Sequence, residues 1–311
     1  MGDDKDKKEK KDKKNDKPYI IYLIDTDKFA SPFDINMSVD SGYDQVHCFS
    51  NVEPEDVKNL VQDAIFSRGV KGCKYTALFI GGSDLPKVLQ VLEEAKKAMV
   101  PPFEVPIMID PRGAYTTAAA AVAKTEDVLM EMGGFEGKNV TILAGTGPVG
   151  QVSAILSAKS GGNPLITSRK FDRAKDIAER LSQEYQINVR YAQGANPEEI
   201  YEASKDADAI IAAGKAGYQL ISKKTLERLD RCKVAADINA VPPLGVEGLG
   251  SMDDKKEFMP GKVGIGALAI GDLKLKAEKK ALKNIKGTTG VFSFEEAYDI
   301  SKELLAKKKG K

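Results

Sequence analysis

Apolar runs of strand length alternate with longer segments of helical period along most of this chain. From Lys17 onward they read "YIIYLID", "PEDVKNLVQDAIF", "YTALFIGG", "LPKVLQVLEEAKKAM" and "FEVPIMID". Apolar strands separated by amphipathic helices predict a βαβαβ unit with a parallel sheet. "AYTTAAAAVAKTEDVLMEMGG" then predicts a long helix closed by a glycine pair, leading into a second domain, with its alanines as a close-packing face. The alternation restarts with "NVTILAG", a helix after Pro148, "NPLITSR", "FDRAKDIAERLSQEY", "NVRYAQ", "NPEEIYEAS", "DAIIAAG", "SKKTLERL" and "KVAADIN". From "KVGIGALAIGDLKLK" to "SFEEAYDISKELLAKK" the tail reads as helix, with Ser293 and Glu296 spaced as a capping box.

The expected fold is therefore α/β with two domains, a parallel-sheet substrate domain and a Rossmann-type dinucleotide-binding domain. The boundaries that follow are a tail over 1–17, a substrate domain over 18–130 plus about 275–311, and a dinucleotide domain over 131–274. Part of the C-terminal segment is expected to pack back on the first domain, with the active site in the cleft between the two.

Within "TILAGTGPVGQ" the glycines Gly145, Gly147 and Gly150 have the G-x-G-x-x-G spacing. The spacing alone is weak, because glycine turns between a strand and a helix also arise for steric reasons. Here it follows the apolar run Val140 to Ala144 and precedes the helical run Val149 to Ala158, where a nucleotide-binding turn belongs. Gly145 permits the tight turn, Gly147 a close approach of backbone to pyrophosphate, and Thr146, Pro148, Val149 and Gly150 open a helix whose free N–H groups suit an anion. In this fold an Asp or Glu about 20 residues further on bonds the ribose hydroxyl of NAD. Ser168 stands there instead, followed by Arg169, Lys170 and Arg173, with Asp172 the one acid among them. A 2′-phosphate needs charge-assisted donors and no adjacent carboxylate, so the stretch favours NADP; solvated residues opening a helix are the other reading. Ala213 and Gly214, closing "DAIIAAG", and Asp237 and Asn239 in "DINAVPPLG" complete the expected cofactor face, although the prolines there also suit a rigid turn.

Composition narrows the classes. Lys and Arg number 47 against 46 Asp and Glu, so no global basic field holds nucleic acid or an anionic membrane. Cys48, Cys73 and Cys232 form no C-x-x-C pair and the single His47 completes no zinc site, which predicts no metal and a reducing, cytoplasmic setting. No run reaches the length of a membrane span, and no signal peptide is expected. In the first seventeen residues five Asp and one Glu interleave with eight Lys, the pattern of a disordered tail; Asp6 stands where myristoylation wants Ser or Thr. Tyr201 and Lys205 make a Y-x-x-x-K pairing too soon after the glycine turn to serve as an acid catalyst, so a surface coincidence is expected.

Several stretches, "IDTDKFASPFDI", "FIGGSD", "IDPRGAYTTAAAAVA", "LAGTGPVG", "DINAVPPLGV" and "GALAIGDLKLK", resemble the bacterial NADP-dependent methylene-tetrahydromethanopterin dehydrogenases of one-carbon metabolism. The likeness runs from Tyr19 to the C-terminal helix and leaves out the Lys-rich tail. It implies transfer of a hydride from the bridging methylene carbon to NADP, giving the methenyl cation, in formaldehyde oxidation; some members accept methylene-tetrahydrofolate or NAD. It implies pterin-facing roles for Asp25, Thr26 and Asp27 and for Asp110, Thr116 and Thr117, with Lys274 and Asp25 at the reacting centre, and a homo-oligomer such as a trimer. Each has a bland alternative: Asp25 and Asp110 as loop caps, Thr116 and Thr117 as helix caps, Lys274 as a surface lysine. His47 is expected to be a structural histidine. Since the departing hydride leaves a cation stabilised by two nitrogens, no acid–base pair is required. A folate- or shikimate-type dehydrogenase and a non-catalytic NADPH-binding sensor are the competing functions.

Overall fold

The computed structural model describes residues 17–309, so the expected disordered tail lies, apart from Lys17, outside the described residues. The chain forms two compact units, one of residues up to Ile109 together with Leu282–Val291, the other of Asp110–Ala281 together with residues from Phe292 onward.

In the first unit β1 (Ile20–Asp25), β2 (Gln45–Phe49), β3 (Thr76–Gly81), β4 (Ile107–Ile109) and the short β12 (Val291–Phe292) make a sheet of order β12-β4-β3-β1-β2. The β1–β2, β1–β3 and β3–β4 pairs are parallel. Every residue of β3 is buried, as a strand covered on both faces requires. The helices are α1 (Pro32–Asp40), α2 (Val57–Phe66), α3 (Val70–Cys73) and α4 (Leu85–Ala98), and α2 and α4 pack together. Periodicity predicted β1, α2, β3, α4 and β4 but not α1 and β2. The first, started by the Ser31 side chain, which accepts the Asp34 N–H, buries Asp34 and Ser38 and leaves Phe33 and Val39 exposed, so it shows no apolar face; the second is a largely exposed edge strand that carries no apolar run.

In the second unit the strands are β5 (Asn139–Leu143), β6 (Asn163–Ser168), β7 (Arg190–Gln193), β8 (Ala209–Ala212), β9 (Val234–Asp237), β10 (Asp254–Met259) and β11 (Lys262–Ile265). Their order is β10-β11-β9-β8-β5-β6-β7. All pairs are parallel except β10–β11, so β5 to β9 and β11 reproduce the doubly wound order 3-2-1-4-5-6. The "KVGI" stretch, expected as helix, is the sixth strand: four residues are too few to show a period, and pairing of Val263 with Val234 decides the matter. The helices are α5 (Ala114–Leu129), α6 (Pro148–Lys159), α7 (Phe171–Tyr185), α8 (Pro197–Ser204), α9 (Lys223–Glu227), α10 (Ala267–Asn284) and α11 (Phe294–Lys309). At the start of α11 the Ser293 N–H donates to Glu296 at 2.7 Å, the reciprocal half of a capping box.

The units differ in extent from the expected division. Helix α5 belongs to the second unit, because Ala118 to Ala123 are buried and let it lie close against α6, α11, β9 and β11. The C-terminal segment divides as well: residues 282–291 join the first unit, where the Ile107 N–H donates to Gly290 O, while α11 joins the second. Among the described residues no helix is long and apolar enough to cross a membrane. Since Ala120 is wholly buried on α5, Ala120→Leu should destabilise the protein by about 1–3 kcal/mol, read as a lower denaturant midpoint. An unchanged midpoint would mean that the alanine face is loosely packed.

Candidate active site

Ligands of open parallel sheets bind beyond the carboxyl ends of the strands, where the strand order reverses. In the second unit that point lies between β5 and β8, and the glycine turn leaves β5 there. A Cβ on Gly150 would stand 2.5 Å from Gly145 Cα, and one on Gly145 would stand 2.9 Å from Ile142 O, so neither position admits a side chain. A Cβ on Gly147 would meet nothing within 4 Å. Gly147 is the extended N-cap of α6 with Pro148 in the first turn, and the first N–H groups of a helix lack intrahelical acceptors. Thr167 holds the turn: its hydroxyl accepts the N–H of Ala144, a left-handed non-glycine residue, and its carbonyl accepts that of Gly145. The residues present thus fit a pyrophosphate, and Thr167 is a supporting residue that the glycine spacing did not reveal.

Ser168 ends β6, buried, its hydroxyl accepting the Lys170 N–H at 3.3 Å. Arg169, Lys170 and Arg173 are all exposed, where α7 begins, and make no ion pair among the described residues. Leu143 of β5 pairs with Ala212 of β8, and the Ala213 N–H donates to Leu143 O, which sets Ala213 and Gly214 beside the glycine turn. At the end of β9 the buried Asp237 accepts the N–H groups of Asn239 and Val246 at 2.9 and 3.0 Å. Asn239 in turn accepts the Val241 N–H and donates to Pro243 O. Burial pushes the Asp237 carboxyl above its ordinary range, against these bonds. Both side chains tie their own loop together.

In the first unit the order reverses between β1 and β3, and Asp25 and Gly81 face each other across that pair. Asp25 accepts the N–H groups of Asp27 and Ser31 at 2.9 and 3.1 Å, shaping the loop after β1. Asp27 receives both the N–H and the hydroxyl of Ser83, which joins that loop to the one after β3. The Thr26 hydroxyl is buried without a hydrogen-bond partner among the described residues, and Gly82 lies so close that a Cβ there would collide with it. Asp34, not singled out in the sequence, is also buried: a Cβ on Gly81 would lie 3.7 Å from its Oδ2 and 3.8 Å from that of Asp25.

A second cluster of polar side chains lies within the second unit. Asp110 caps α5 by accepting the Tyr115 and Thr116 N–H groups at 2.8 and 3.3 Å and the Thr116 hydroxyl at 2.5 Å. The Thr117 hydroxyl donates to Gly113 O. Arg112 and Gly113 are both left-handed, and a Cβ on Gly113 would stand 2.9 Å from Lys274 Cε. Lys274 donates at 2.7 Å to Glu278, which is wholly buried one turn further along α10. Burial pushes the Asp110 carboxyl up while the Lys274 ammonium and the bonds from Thr116 and Tyr115 pull it down; burial prevails. Lys274 is therefore no ordinary surface lysine. Glu278 escaped notice because a glutamate in a Lys-rich helical stretch reads as solvated.

His47 lies exposed on the β2 edge, hydrogen-bonded to Gln45 and stacked on Tyr22. Lys205 is paired with Glu202 at an exposed site and the Tyr201 ring is covered by Arg228, as a surface coincidence requires. Two glycine substitutions separate fold from site: Gly150→Ala should destabilise by about 1–3 kcal/mol, whereas Gly147→Ala should keep the melting temperature and weaken dinucleotide binding. Calorimetry and fluorescence titration read the two effects. A Gly147→Ala protein with undiminished cofactor affinity would move the pyrophosphate elsewhere.

Residues 32–112 match the family described as methylene-tetrahydromethanopterin dehydrogenase, N-terminal. The "Bifunctional protein MdtA" of Methylorubrum extorquens AM1 is 37% identical over 92% of this chain and 98% of its own length. The NAD(P)-dependent methylenetetrahydromethanopterin dehydrogenase of the same organism is 34% identical, again over 92% of this chain and 98% of its own. Among solved structures, ornithine carbamoyltransferase from Pyrococcus furiosus shares the fold alone, with a TM-score of 0.53 at 14% identity over 88% of this chain and 86% of that one. With two relatives above 30% identity along nearly the whole chain, this protein belongs to the methylene-tetrahydromethanopterin dehydrogenase family.

Proposed function

We propose that this chain is an oxidoreductase that takes a hydride from methylene-tetrahydromethanopterin and passes it to NADP, leaving methenyl-tetrahydromethanopterin, in one-carbon metabolism. The observation that carries the reading is the glycine turn at the strand-order reversal of a doubly wound sheet, in a chain of this family. Bound NADP supplies the hydride acceptor. The α6 N-terminus and the turn Gly145–Gly150 hold its pyrophosphate; Arg169, Lys170 and Arg173 hold the 2′-phosphate, with no acid at Ser168 to oppose it. NAD, lacking that phosphate, is the weaker alternative.

In the first unit the crevice between β1 and β3 takes the pterin. Thr26 offers a buried hydroxyl that has no protein partner among the described residues, and Asp25 and Asp27 fix the loop that presents it. Asp110, Thr116 and Thr117 bond chiefly to one another and to the start of α5, so their contribution is to shape the turn beside Lys274. Lys274, which donates to Glu278, is the candidate cation of the reacting centre by family likeness. No side chain has to gain or lose a proton, because the hydride leaves a carbon whose neighbouring nitrogens accept the positive charge. A cytoplasmic setting and a homo-oligomeric state accompany this reading, and light scattering tests the second.

Purified protein should reduce NADP with methylene-tetrahydromethanopterin faster than with methylene-tetrahydrofolate, and not with shikimate. Binding of NADPH without turnover on any of the three would instead make the protein a sensor. Arg169→Ala should remove charge-assisted bonds of about 1.5–3 kcal/mol, hence tenfold to a hundredfold in NADP affinity, and change NAD use much less. Equal losses for both cofactors would refute 2′-phosphate recognition by this cluster.

A further inference from the structure

We propose that Gln151 is a positioning residue of the dinucleotide site: pinned by Arg180, it holds the Thr146 carbonyl and so keeps the Gly147 N–H turned toward the bound pyrophosphate. The inference rests on the cofactor site proposed above and adds two residues that act through the backbone of its turn. All the parts lie in the second unit. Gln151 follows Gly150 on α6, and its side chain is buried. Its Nε2 donates to Thr146 O at 2.8 Å. Arg180, on α7, donates to Gln151 Oε1 at 2.5 Å and to Glu184, one turn further along that helix, at 2.8 Å.

A guanidinium has N–H donors and no acceptor. The Gln151 amide therefore presents its oxygen to Arg180, which leaves its NH2 group facing Thr146 O. Carbonyl and N–H point in opposite directions across a trans peptide, and the peptide between Thr146 and Gly147 is trans. With Thr146 O drawn to Gln151, the Gly147 N–H is turned to the other side. Gly147 stands at φ −82° and ψ 170° as the N-cap of α6. Reversing the peptide before it would carry its φ to positive values, which glycine adopts at little cost. A carbonyl would then face the phosphates where an N–H is needed. The glycine that admits a pyrophosphate thus loosens the peptide before it, and the Gln151 bond removes that freedom. Packing does not demand this amide: Val152, Ala154, Ile155 and Leu156 of the same helix are buried as apolar side chains, and a buried amide is tolerated only when its bonds are made. The Arg180 bond is charge-assisted, and Arg180 stands on the helix whose start carries the cations proposed for the 2′-phosphate. One helix thereby serves both phosphate groups of the cofactor.

The experiment compares wild type, Gln151→Met, Arg180→Met and Arg180→Lys in equilibrium titrations with NADP and with adenosine 2′-monophosphate, which carries the 2′-phosphate but no pyrophosphate. Gln151→Met should weaken NADP binding by roughly three- to tenfold, the worth of one hydrogen bond, and leave adenosine 2′-monophosphate binding within about twofold of wild type. Arg180→Met should show the same pattern with a loss no larger than that of Gln151→Met, and Arg180→Lys, which keeps a cationic donor, should recover part of it. A Gln151→Met protein that binds NADP as wild type does, or that loses both ligands equally, overturns the proposal. Should Gln151→Met fail to fold, the Arg180 variants decide on the same two ligands: unchanged NADP affinity in Arg180→Met, or equal loss of both, overturns it. A wild type that binds no NADP overturns the cofactor reading, and the inference with it. One that binds NADP without oxidising the methylene pterin overturns the proposed reaction alone, and the titrations still decide the role of Gln151.

Discussion

The close approach of Gly145 to Gly150 is the contact on which the second unit turns. With 2.5 Å between Gly145 Cα and the place a Gly150 Cβ would take, no other residue pair lets α6 begin so near the end of β5. That approach aims the helix N-terminus across the point where the strand order reverses, and it leaves Gly147 facing open space. The neighbouring elements extend the same geometry. Thr167 on β6 anchors the turn, and β8 runs alongside so that Ala213 follows the hydrogen bond to Leu143 O. The exposed start of α6 is thus a by-product of packing a helix tightly on a parallel sheet, and the 2′-phosphate role proposed for the cations after Ser168 is the separate feature that bears on cofactor choice.

Elements with a strong period were legible in the sequence, and those without one were not. The βα alternation of the second unit followed from strands such as "TILAG" and "AIIAAG", which are apolar because both faces of the sheet are covered. The "KVGI" strand was lost among glycines, and β2 was lost because an edge strand needs few apolar residues. The division between units fell earlier than composition implied, since an alanine-rich helix advertises close packing without saying against what. Within the site the glycines and cations were visible as a motif. Glu278 and Asp34 were not, because burial of a carboxylate depends on the side chains around it and leaves no local signature.

Two kinds of carboxylate emerge from the geometry. Asp25 and Asp237 close a strand, Asp110 directly follows one, and all three accept backbone N–H groups, so each sets the course of the loop behind it. Glu278 instead meets a lysine. An enzyme that only moves a hydride needs no proton relay, which agrees with the exposed edge position of the sole histidine.

The central claim is that positioning alone drives the reaction. Isotope effects on single-turnover hydride transfer test it most directly, with substrate deuterated at the bridging methylene and, separately, with solvent deuterium oxide. The account predicts a primary effect from the substrate deuterium and none from the solvent. A solvent effect on the hydride-transfer step itself, of a size comparable to the substrate effect, would show a proton in flight and contradict it.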